Sequence, residues 1–166
     1  MKYIRSTYEI MAFKVLNRDI DEEWVNWAYE MMTHGVETES LVLLAGTRRP
    51  FHQFPLQELT TNMFDELQLD LTSKEKVIKR YVFHLIEEVL SGEREMPAVL
   101  EILKDLYYEL DYESFLSDFY SLYWAYEDLQ YSHDQWYWPN ADRSNINDIV
   151  TTAFKDWKEK HFLSIQ

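Results

Sequence analysis

The chain has 166 residues, 46% of them hydrophobic and 28% charged, the balance of an ordinary globular protein long enough to build a core. Thirty Asp/Glu against 16 Lys/Arg leave a net charge of −14, which argues against nucleic-acid binding through phosphates and against attraction to an anionic membrane surface. With no cysteine in the chain, disulfides, thiolate catalysis and Cys-ligated zinc are excluded.

Helical signals begin near the N-terminus. Residues 4–16 predict a first helix, with Ile4, Tyr8, Met11, Ala12 and Val15 on one face. Asp19 or Asp21 caps a second, Glu22 and Glu23 suit its first turn, and Gly35 stops it. Its stripe is Trp24, Trp27, Ala28, Met31 and Met32. Thr38 caps a short third helix, 40–45, apolar nearly all round and therefore expected to be buried; Trp27 and Leu44 are expected core residues. After a loop over 47–54, Pro55 fits a first helical position, and Leu56, Leu59, Met63, Phe64 and Leu67 follow as a stripe. Thr72 or Ser73 opens a long helix to Ser91, with Val77, Ile78, Tyr81, Val82, Leu85, Ile86 and Val89 inward and Gly92 at its end. Pro97 starts the next helix, carrying Leu100, Leu103, Leu106 and Tyr107. Another runs over 113–130, residues 132–143 form a polar and aromatic loop, and Asn145 or Asn147 caps a last helix ending near Phe162. No β-branched run alternates in period two between turn dipeptides, so strands are not expected. The fold class read from this pattern is all-α: one domain over 1–166, an antiparallel array of seven to eight helices, as a bundle or a short α-solenoid.

The segment from Trp24 through Trp27, Ala28, Met31, Met32 and Gly35, followed by Ser40–Gly46, then a Pro-initiated helix to Leu67 and a long helix to Gly92, resembles small all-helical bacterial proteins of unestablished role. The resemblance covers roughly residues 20–110 and rests on apolar and glycine positions. It implies a helical fold and transfers no functional residue. Some small acidic helical bacterial proteins are immunity proteins that neutralise a toxin, a likeness of class only.

Local motifs for chemistry are few. His84, Glu87, Glu88 and Arg80 share a helix outside its apolar face and read as a solvated charged surface, with no metal or cofactor expected. His34, before Gly35, suits a helix C-terminus, where a cation meets the dipole favourably. Arg48, Arg49 and His52 form a basic loop expected to pair with the protein's own carboxylates. No nucleophile elbow or phosphate loop is present, and no catalytic residue is assigned.

The unusual feature is the stretch from Asp105 to Asp142. It holds nine Asp/Glu and 13 of the chain's 27 aromatic residues, without one Lys or Arg. Its helix carries a stripe of Phe115, Phe119, Leu122, Tyr126 and Leu129, and a second of Ser114, Asp118, Ser121, Ala125 and Asp128. The following loop, with Tyr131, Trp136, Tyr137 and Trp138, reads either as a lid over the core or as an interface. The expected function is a non-enzymatic acidic protein-binding domain, in the manner of an immunity-type inhibitor of a basic toxin or nuclease. Asp111, Glu113, Asp118, Glu127, Asp128 and Asp134 are the expected charges, and Trp136, Tyr137 and Trp138 the expected anchors. The alternatives are a self-associating scaffold and a ligand binder or enzyme with a pocket between helices. No signal peptide or membrane span is read in the sequence, and a cytoplasmic location is expected.

Overall fold

The computed structural model describes residues 3–166. These form eight α-helices and no strand, with 68% of the chain helical. In order they are α1 (Thr7–Val15), α2 (Glu22–Thr33), α3 (Glu39–Ala45), α4 (Gln53–Glu66), α5 (Lys74–Leu90), α6 (Met96–Glu109), α7 (Ser117–Tyr131) and α8 (Ile146–His161). One-turn 3-10 helices, Ser114–Leu116 and Phe162–Ile165, precede α7 and follow α8. Among the described residues, no helix is long and apolar enough to cross a membrane.

Local chemistry sets several boundaries. The Asp21 carboxylate accepts from the Glu23 N–H, Thr38 Oγ1 from the Leu41 N–H and Ser73 Oγ from the Lys76 N–H, each satisfying a donor that a helix start leaves free. Gly35 and Gly92 sit at φ of +83° and +78°, the left-handed conformation that closes a helix and penalises any Cβ. Several boundaries differ from the sequence reading. α1 begins at Thr7, after a turn in which the Thr7 N–H bonds the Ile4 carbonyl. Its buried set is Thr7, Ile10, Met11, Ala12 and Phe13, not a face built on Tyr8 and Val15. α4 starts at Gln53, which puts Pro55 at its third residue, still within the turn where a missing N–H costs no helical bond. The stretch from Glu113 is broken: a 3-10 turn precedes α7.

The packing divides the chain into two compact units, one ending at Tyr81 and the other spanning Val82–Gln166; the division falls within α5.

In the first unit α1 packs on α2, α2 on α3 and α3 on α4. Trp24, Trp27, Met31, Leu41, Leu44 and Phe64 are buried at its centre. The Trp27 ring stacks on Phe64 at 6.5 Å, and Trp24 meets the same ring edge-on at 6.4 Å. Trp27 Nε1 donates to Thr7 Oγ1 at 3.1 Å, which satisfies both buried groups. The third helix is not buried all round: Leu41 and Leu44 face inward while Val42 and Leu43 are exposed, because α2 and α4 cover only one side of it. Glu66, at the end of α4, accepts from the N–H and Oγ of Ser40 at 3.0 and 2.6 Å and so ties the start of α3 to the end of α4. The Ser40 hydroxyl, helped by Thr38, holds the Glu66 carboxyl below the usual glutamate range. Arg49 pairs with Glu22 at 2.8 Å, as expected for the basic loop, and His34 Nδ1 lies 2.9 Å from the Glu30 carbonyl at the end of α2.

In the second unit α6 packs on α7 and α7 on α8. Leu100, Leu103, Leu106, Leu122, Phe119, Val150 and Phe154 are buried between them, with Phe119 and Phe154 edge-to-face at 5.5 Å. The α7 seam is Phe119, Leu122, Ala125 and Leu129. Phe115 and Tyr126, expected on the core stripe, lie beside it half-buried, and Ala125, read on the stripe of small and acidic residues, belongs to the core. The charge is distributed unevenly: Val82–Gln166 holds 17 Asp/Glu and six Lys/Arg, a net −11 of the chain's −14.

Candidate functional site

α8 carries two adjoining faces. Ile146, Val150, Phe154, Trp157 and His161 recur at helical spacing and are buried. Beside them Asn145, Asp148, Ile149, Thr152, Ala153, Asp156 and Lys160 form a second stripe, polar or charged except for Ile149 and Ala153. This stripe is one wall of a groove of about 470 Å³, whose opposite side is built by Ser114, Phe115, Asp118, Phe119 and Trp138. The volume is within the range of ligand clefts, roughly 300–1,000 Å³.

The floor is aromatic and firmly held. Trp157 Nε1 donates to the Phe115 carbonyl at 2.7 Å, fixing α8 against the 3-10 turn. The His161 ring packs on Trp157 at 4.4 Å between centroids, and Phe119 approaches Trp157 at 6.1 Å. Charge lies above this floor. Asp118, Asp148 and Asp156 make no hydrogen bond or ion pair among the described residues, and one cation, Lys160, lines the same groove.

A second aromatic surface stands in the same unit. Tyr107, Tyr108, Tyr112 and Tyr120 pack on one another, with centroid separations of 5.0 Å for Tyr107–Tyr120 and 5.3 Å for Tyr107–Tyr112. Asp111 and Tyr112 both take left-handed backbone, φ +55° and +67°, and that tight turn lays Tyr112 back over the end of α6. A hydrogen bond with Tyr108, reinforced by burial, pushes the Tyr120 phenol above its ordinary range. Tyr108 and Tyr112 remain exposed.

The loop after α7 is organised by Gln135. Its Oε1 accepts from the N–H groups of Tyr137 and Trp138 at 2.9 and 2.8 Å, while its Nε2 donates to the carbonyls of Trp138 and Ala141. At the loop's far end the Asp142 carboxylate accepts from Ser144 Oγ and from the N–H groups of Ser144 and Asn145, and the Ser144 hydroxyl leads in lowering its pKa. The three loop aromatics consequently part ways. Trp138 lines the groove, Tyr137 packs towards Trp124 at 6.3 Å, and Trp136 is 91% exposed. Trp138 and Tyr137 thus turn back towards the protein, as the lid reading expects, and Trp136 does not.

The expected site residues are therefore dispersed over one unit. Asp118 and Trp138 meet in the groove. Asp111 and Glu113 are exposed in the turn after α6, and Asp134, Trp136 and Tyr137 are exposed on the loop. Glu127 and Asp128 are half-buried on α7. Asp148, Asp156, Thr152 and Lys160 are not among the expected residues, because they lie beyond the cation-free segment that ends at Asp142. The signal that identifies them is the second α8 stripe, at 3.6-residue spacing.

The negative field is also less one-sided than the cation-free segment implies. Lys104 lies one residue outside that segment, yet packing of α6 on α7 sets its ammonium 4.5 Å from the Tyr123 ring centre and 2.9 Å from Asp105. Burial alone would lower the Lys104 pKa, but the hydrogen bond and charge of Asp105 outweigh it and raise it. Arg143, just past the other end, donates through Nε to the carbonyls of Leu129 and Ser132. On α5, His84 Nδ1 lies 3.7 Å from Glu87, Glu87 pairs with Lys158 and Glu88 with Arg94, so that cluster is a charged network. Among the described residues no group of three or more His, Asp or Glu converges as a metal site. Comparison of the chain with protein-family models, with curated proteins and with solved structures finds no match.

Proposed function

We propose that the chain is a non-enzymatic, acidic protein-binding domain whose partner is a cationic protein, and that it acts as an immunity-type inhibitor which occludes a basic toxin or nuclease. The observation that carries this reading is the exposure of Tyr108, Tyr112, Tyr131, Trp136 and Tyr137 on the unit that holds a net −11. Exposed Tyr and Trp with little rotamer freedom are the residues from which binding hot spots are built. Carboxylates around them, Asp111, Glu113, Glu127, Asp128 and Asp134, raise the encounter rate with a positive surface and disfavour acidic or nucleic-acid partners. Such a face matches the positively charged groove that a nuclease uses to hold its substrate.

The test starts with a partner recovered from the native host and purified. Its association rate is then measured across a salt series, since the Debye length is about 8 Å at physiological ionic strength. Glu127→Lys with Asp128→Lys is expected to slow association, and Trp136→Ala to speed dissociation. An acidic partner, or an association rate indifferent to both salt and the charge reversal, refutes the steering mechanism. Recovery of this chain alone replaces the reading with self-association.

A further inference from the structure

The groove between the 3-10 turn, α7 and α8 calls for a different kind of contact from the exposed aromatic face. Its floor of Phe115, Phe119 and Trp157 is apolar and held in place by the Trp157 bond to Phe115. Three carboxylates without a partner among the described residues line it against one ammonium, so the groove lining carries a net charge of about −2. We infer that this groove seats an extended, basic segment of the partner, with two arginines about four residues apart. The choice of occupant rests on the cationic-partner reading above; the site itself rests on the cavity.

Three physical arguments select that occupant. Asp148 and Asp156 are eight residues apart on one helix, about 12 Å along its axis at 1.5 Å per residue. A single metal ion binds oxygen ligands at roughly 2.0–2.6 Å and cannot bridge that span. In an extended peptide, at about 3.3 Å per residue, side chains four positions apart recur every 13 Å or so, which matches it. The floor then distinguishes arginine from lysine. A planar guanidinium stacks on indole and phenyl faces while its N–H groups reach a carboxylate, whereas an ammonium is a compact, strongly hydrated point charge. Lys160 adds direction. It lines the groove beside His161 and offsets Asp156, so the stronger attraction is at Asp118 and Asp148, and the first arginine belongs there.

The test is titration of the full ¹⁵N-labelled chain with a pentapeptide bearing arginine at both ends and three neutral residues between. A glutamate counterpart and free spermidine serve as the other probes. The expected result is saturable binding by the arginine peptide, with Kd on the order of 1 mM for so short a ligand. Shifts should be confined to the groove, at Asp118, Asp148, Thr152 and Asp156 and the Trp157 and Trp138 indoles. Asp148→Asn and Asp118→Asn should each weaken it about fivefold, the upper range for an exposed charge pair, while Glu109→Gln, outside the groove, should leave it unchanged. Three outcomes overturn the proposal: shifts spread over the acidic surface, affinity indifferent to both groove substitutions, or spermidine binding the same residues more tightly than the peptide. A groove that passes this test beside a recovered partner that is acidic would refute the cationic-partner reading alone. A cationic partner whose peptide probe ignores the groove would refute the groove alone.

Discussion

Gln135 holds the loop that presents Trp136, and its four hydrogen bonds can be separated by substitution. Its Oε1 receives two N–H donors, and its Nε2 supplies two carbonyls. At roughly 0.5–1.5 kcal/mol net for each bond, the four together amount to about 2–6 kcal/mol of local stability. Water takes over part of this on a half-buried loop, so Gln135→Ala is expected to cost about 1–3 kcal/mol in urea denaturation. Hydrogen exchange gives the sharper test. Gln135→Ala removes the acceptor of the Tyr137 and Trp138 amides, so both should exchange much faster. Gln135→Glu keeps that acceptor but sets carboxylate oxygen against the carbonyls of Trp138 and Ala141. It should therefore retain part of the amide protection while losing as much stability as the alanine variant. If neither amide is protected in the parent, or if the glutamate variant is as stable as the parent, Gln135 does not organise this loop.

Other expectations follow from the two cores and from the shifted carboxylates. Trp27→Ala should cost about 3–5 kcal/mol in denaturant, the range for emptying a large aromatic site, with part of the loss from the Thr7 hydroxyl left behind. Trp157→Phe should cost at least about 1 kcal/mol more than Trp124→Phe, because Trp157 Nε1 bonds the Phe115 carbonyl while the buried Trp124 Nε1 has no partner among the described residues; equal midpoints would contradict this. For Glu66, the folded-state pKa is depressed, so its contribution is present above the ordinary glutamate range and is lost as pH falls through that range to the folded value. A plot of stability against pH should accordingly be shallower on the acid side in Glu66→Gln, and an unchanged slope would refute the link. Trp136→Ala should leave the denaturation midpoint within about 0.5 kcal/mol of the parent, as expected for a surface residue that is 91% exposed.

The fold was legible where the signals are local. Asp21, Thr38, Gly35 and Gly92 act within a turn of their own position; Thr38, Gly35 and Gly92 stand where the sequence places them, and Asp21 is the one of two candidate caps, Asp19 and Asp21, that the structure uses. Trp27 and Leu44 are buried as expected, since each is on an apolar face bounded by such a signal. Properties that depend on partners were not legible. Val42 and Leu43 are as apolar as Leu41 and Leu44, and which pair is buried depends on where α2 and α4 pack. The groove escaped for the same reason. Asp118 and Asp148 are 30 positions apart, and only the packing of α7 on α8 sets them around one cavity. Gln135 gave no sequence signal at all, because one glutamine amide among polar loop residues looks like any other.

Lys104 and Arg143 bound the cation-free segment, and the way each is used bears on how the segment would act. Lys104 is largely covered, neutralises Asp105 and leans on Tyr123. Arg143 braces the end of α7 through backbone carbonyls, and among the described residues the loop's carboxylates have no ion-pair partner. Both cations thus serve the fold at the two ends of the segment, while Asp111, Glu113 and Asp134 remain exposed between them. The field is therefore weakest beside Asp105 and strongest along the turn after α6 and the loop after α7. Charge reversal should follow that order if steering operates. Asp134→Lys and Glu113→Lys should each slow association with a cationic partner more than Asp105→Lys does, because Asp105 is already answered within the protein. Rate changes of equal size at all three positions would mean that only total charge matters and that the arrangement of the carboxylates does not.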